Sequence, residues 1–60
     1  MTPADALRER AREYELLAAW HAERGPFSPA SATSAVGFIV AAIVLREVAL
    51  ALDDDFEAAA

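Results

Sequence analysis

Arg24-Gly25-Pro26-Phe27-Ser28-Pro29 decides the fold, because it is the one place where glycine and proline gather between two long helix-compatible stretches. Arg24 complements the negative end of a helix, Gly25 offers a left-handed stop, and Pro26 blocks continuation. Pro26 has no N–H, so the two-bond Schellman closure is excluded and a single-bond left-handed cap at Gly25 is expected. Ser28 then restarts the chain as an N-cap, with Pro29 at the first helical position, where its missing N–H costs nothing.

Upstream, Thr2-Pro3-Ala4-Asp5 carries the same start signal, and Asp5 at the third position resembles a capping box. Nothing from Pro3 to Arg24 breaks a helix, and Ala, Leu, Arg and Glu dominate there. Downstream, the second helix is expected from Pro29 to about Leu52. The helices would be about 33 and 36 Å long at 1.5 Å per residue. Three carboxylates at a negative helix end are unfavourable, so Asp53-Asp54-Asp55 is expected to fray. Phe56 and Ala58–Ala60 would then add a short turn or stay disordered. A link as short as Gly25–Ser28 makes the helices antiparallel neighbours. The expectation is an all-α αα-hairpin forming one domain over residues 1–60, with its turn at 25–28 and an acidic, Ala-rich tail at 53–60.

The two helices differ in their faces. Leu7, Ala11, Tyr14, Leu17, Ala18 and His21 form one apolar stripe on the first helix. Its other positions hold opposite charges three apart: Asp5–Arg8, Glu9–Arg12, Arg10–Glu13 and Arg12–Glu15. The second helix is apolar from Ala35 to Leu45 without a break, is interrupted by Arg46-Glu47, and resumes from Val48 to Leu52. A helix apolar all round must be surrounded, and one neighbour leaves Phe38, Ile39, Ile43 or Val44 partly wet. Thr33, Gly37 and Ala41 add a strip of small residues that admits another helix closely. In a hairpin closing at 25–28, facing residue numbers sum to roughly 53. This predicts register-setting ion pairs Arg46–Glu9 and Glu47–Arg8 or Glu47–Arg10, within one chain or across an oligomer.

Composition excludes several function classes. The 60 residues hold no Cys, Lys, Asn or Gln, five Arg against ten Asp and Glu, one His and sixteen Ala. There is no thiol nucleophile, no disulfide, no Schiff-base lysine and no phosphate-loop lysine. A net charge of −5 with Arg interleaved among Glu is a poor match to nucleic acid. His21 lacks a ligand or an orienting acid at helical spacing and is expected to pack beside Trp20 and Phe27. Asp53-Asp54-Asp55 lacks the alternation and the glycine of a calcium loop. No catalytic residue, metal ligand or cofactor is expected.

What remains is binding. The reading is a small non-enzymatic interaction, structural or accessory subunit that self-associates into a four-helix or larger bundle, with the second helix central. Tyr14, Leu17, Trp20, Phe38, Val40, Ile43, Leu45 and Val48 are the expected packing and interface residues. The partners are other copies of the chain, a larger protein, or both, and the expected location is cytoplasmic. The alternative is a single-pass subunit of an inner or plasma membrane with residues of about 30–52 in the bilayer and the N-terminus inside. Sixteen uncharged residues, Ala30–Leu45, are short for a span, and Arg46-Glu47 sit well inside any longer one. The charged N-terminal stretch does not read as a signal peptide.

Overall fold

The computed structural model describes the backbone of residues 1–59 and the side-chain surroundings of residues 1–55. It is all-helical: α1 spans Pro3–Arg24, a 3-10 turn spans Gly25–Phe27, and α2 spans Pro29–Ala59. The first start signal works as a full capping box. Asp5 N–H donates to Thr2 Oγ1 at 3.1 Å, and Thr2 N–H donates to Asp5 Oδ2 at 3.3 Å. At the second start, Ser31 N–H donates to Ser28 Oγ at 3.2 Å. Both seryl or threonyl oxygens thereby satisfy backbone donors that a helix N-terminus leaves unpaired.

Two boundaries differ from expectation. Gly25 is right-handed, with φ −52° and ψ −43°, and it opens the 3-10 turn instead of stopping α1 with a left-handed cap. What it supplies is proximity: a Cβ at Gly25 would lie 3.4 Å from the Ala32 Cβ. The second difference is α2, which continues through Asp53, Asp54 and Asp55 to Ala59. Asp53 is paired with Arg8 across the two helices. The residues after Asp55 move the negative helix end a turn beyond the acidic triplet, which removes the reason to fray. The tail expected as a turn or disorder is helical backbone as far as Ala59, and Ala60 lies outside the described residues.

Contacts between α1 and α2 run in antiparallel order, from Arg8–Asp53 at one end to His21–Ser31 at the other. The molecule is a narrow slab with extents of 50 × 16 × 10 Å. Its fully packed positions are six alanines: Ala4, Ala11 and Ala18 on α1, and Ala35, Ala42 and Ala49 on α2. On each helix they recur every seventh residue, the period of a two-helix seam. Half-buried Leu7, Tyr14 and His21, with Phe38 and Leu45 opposite, flank this seam at the same period. No large side chain is fully buried among the described residues.

The helices are level about one turn away from the expected register. The Phe38 ring lies 5.5 Å from Tyr14 and 5.6 Å from His21, midway between them, and Gly25 faces Ala32. Facing residue numbers therefore sum to about 56. The cause is the 3-10 turn, which carries the chain onward past Arg24 before α2 starts back.

Candidate interaction surface

An alanine seam lets two helices approach closely, and close approach turns larger side chains outward. Val36, Ile39, Val40, Ile43 and Val44 are each about half exposed or more, from 49% to 61%. Only 17% of the most apolar window of α2 is buried, and this helix is long and apolar enough to cross a membrane. Soluble monomers rarely leave so much contiguous apolar surface wet.

The surface has three parts. One is a groove between the helices, lined by Ala18, Ala19 and Ala22 on α1 and by Ile39, Ala42 and Ile43 on α2. Arg46 and Glu15 line its end and pair there; Arg46 Nε donates to Glu15 Oε1 at 2.9 Å. The second is a shallow depression around Tyr14, Ser34, Gly37, Phe38 and Ala41 on the opposite side. The third is the outer face of α2, opposite the seam, where exposed Thr33, Val36, Val40, Val44, Glu47 and Ala51 fall together at helical spacing.

The expected interface residues divide between these surroundings. Tyr14 and Phe38 touch and are half-buried with Leu45 near the seam. Val40, Ile43 and Val48 are exposed on α2, and Leu17 and Trp20 are exposed on α1. Within the Thr33-Gly37-Ala41 strip, Gly37 is open: a Cβ there would find no atom within 4 Å.

The expected register ion pairs do not form within the chain among the described residues. Arg46 pairs with Glu15 and not with Glu9, Arg8 pairs with Asp53 and Asp5, and Arg10 pairs with Glu13 on its own helix. Glu47 makes no ion pair among the described residues. Both the heights and the directions of these side chains differ from expectation. Glu9 and Glu47 point away from the seam, whereas Glu15 and Arg46 lie on the same flank of it. Of the four spacing-three pairs, Asp5–Arg8 and Arg10–Glu13 form.

Electrostatics concentrate at the open end of the pair. The Thr2 backbone N–H, then the Thr2 hydroxyl and Arg8, hold the Asp5 carboxyl below its ordinary value. The hydrogen bond from Arg8 to Asp53 raises the guanidinium further above its already high value.

Of the two neighbours expected for His21, Trp20 is observed and Phe27 is not. His21 meets Trp20 edge-on at 4.8 Å, stacks on Phe38, and places Nδ1 3.4 Å from Ser31 Oγ. Phe27 is 89% exposed and takes no part. Arg24 covers the Trp20 ring at 3.5 Å and donates to the Trp20 carbonyl at 3.0 Å, an arrangement the sequence reading missed. Among the described residues, no group of three or more His, Asp or Glu is placed to hold a metal ion.

The buried alanines other than Ala11 and Ala18 were also missed. Their seven-residue recurrence on both helices was a readable signal, hidden by the sheer abundance of Ala. Comparison with protein-family models, with curated proteins and with solved structures finds no match to this chain.

Proposed function

We propose that the two helices act as one αα-hairpin, and that the hairpin is a non-enzymatic interaction or accessory subunit that self-associates through α2. The observation that carries this is the excess of exposed surface. The chain exposes 4409 Å². A folded monomer of this mass exposes about 3,800 Å². With six alanines as its packed positions, the isolated hairpin has little to offset the conformational entropy of ordering two helices. Covering α2 with protein supplies what the seam lacks.

The arrangement of charge favours protein over lipid as the cover. The uncharged run Ala30–Leu45 lies level with the part of α1 that carries Arg12, Glu13, Glu15 and Glu23. A closed hairpin would take those charges into the bilayer beside α2, at a cost of a few kcal/mol for each. Insertion of α2 would require the hairpin to open and the seam to be lost. The length and apolarity of α2 are what favour the single-pass reading.

Light scattering on the full chain purified without detergent tests the proposal. A stable mass of two or more chains is the expected result. A monomer, or recovery from membranes only, would overturn it.

A further inference from the structure

We infer that the cover of the outer face of α2 is the same face of a second copy, packed antiparallel with Val40 at the twofold axis. This rests on the self-association proposed above and specifies its geometry. The face has apolar side chains to bury against such an occupant, Val36, Val40 and Val44 each being half exposed or more.

Direction follows from Glu47. It is exposed on the face that carries Val36, Val40, Val44 and Ala51, and it has no ion-pair partner among the described residues. A parallel pair would set two Glu47 carboxylates side by side in an apolar seam, and would also align the two acidic triplets. An antiparallel pair separates them.

Position follows from the same residue. With Val40 against Val40 of the second copy, Val36 meets Val44 and Glu47 comes level with Thr33. Thr33 is the hydroxyl-bearing residue of this face, and its Oγ1 now donates to the Pro29 carbonyl at 3.0 Å, from which it can rotate to the carboxylate. Asp53, Asp54 and Asp55 then fall beside the start of the other α2, the positive end of its dipole. A single register thus pairs apolar with apolar and places the carboxylates favourably.

Single cysteines test this cleanly because the chain has none of its own. Val40→Cys, Val36→Cys and Val44→Cys are purified as full chains, checked for helicity and mass, and oxidised mildly. A disulfide requires Cα atoms within about 7 Å. The expected result is rapid cross-linking of Val40→Cys with itself. Val36→Cys and Val44→Cys should cross-link when mixed, at least about tenfold faster than either alone. Equal self-cross-linking at all three positions would mean a parallel pair. An oligomer that fails to cross-link at position 40 would mean a different face. Either result overturns the inference while leaving self-association standing. A monomeric mass for the unsubstituted chain would overturn both.

Discussion

Arg46 and Glu15, 31 residues apart in sequence, form a two-nitrogen hydrogen-bonded ion pair that bridges α2 to α1. Arg8 and Asp53 form the second bridge on the same flank, one heptad away on each helix and with the charges exchanged between the helices. The exchange has a consequence for register. Sliding one helix by a heptad in one direction sets Arg8 against Arg46, and sliding in the other sets Glu15 against Asp53. The two pairs therefore penalise neighbouring registers more than they stabilise the observed one.

Both partners of the Arg46–Glu15 pair are about half exposed, so its direct worth is modest, on the order of 0–1 kcal/mol. Arg46→Glu should lower stability, and the exchanged double variant with Glu15→Arg should recover most of the loss. A double-mutant cycle by urea unfolding reads the coupling. Additive effects of the two substitutions would show that the bridge carries no energy.

The alanine seam has no room for larger side chains. Ala42→Leu or Ala11→Leu should cost about 1–3 kcal/mol by forcing the helices apart. Ala6→Leu on the outward side of α1 should cost little. Thermal unfolding followed by circular dichroism compares them, and equal melting temperatures for all three variants would contradict the close-packed seam.

Gly25 gives a prediction of opposite sign to its sequence reading. A left-handed glycine resists alanine, but the observed Gly25 is right-handed and a Cβ there would make ordinary contact with Ala32. Gly25→Ala should therefore be neutral or stabilise by about 0.4–1 kcal/mol through the unfolded chain. A loss of more than about 1 kcal/mol in denaturant unfolding would restore the left-handed cap.

The capping box should appear in the acid limb of stability. The Asp5 carboxyl is held below its ordinary value of 3.8 chiefly by the Thr2 N–H. A lowered folded pKa contributes stability that is present above the ordinary value and is lost as pH falls through the lowered one. Asp5→Asn should flatten the acid limb below pH 3.8 relative to the parent chain, read by helicity against pH. Thr2→Ala removes the other half of the box and should cost about 1 kcal/mol at neutral pH.

Ile43→Asp places a charge in the middle of the exposed α2 surface. It should reduce the assembly to monomers and, with the cover gone, lower helicity at micromolar concentration. An unchanged mass and unchanged helicity would remove α2 from the interface.

By itself the sequence determined the local structure. Thr2-Pro3 and Ser28-Pro29 set the two helix starts, and Arg24 through Ser28 set the break between them, because caps and prolines act within one turn of chain. The all-round apolarity of α2 was equally legible, since it needs only a count of residues along one helix. Heights, directions and partners were not. Whether Glu9 or Glu15 meets Arg46 depends on which flank of the seam each side chain occupies, and that follows from how the helices roll against each other. The one-turn offset goes with Gly25 continuing right-handed into the 3-10 turn, where glycine's own preference admits the left-handed cap equally. The acidic triplet is helical inside an α2 that runs on to Ala59, and its Asp53 pairs with Arg8, 45 residues earlier. Those outcomes are decided by long-range contact, where the energy of a residue depends on what stands opposite it, and only the tertiary structure places that neighbour.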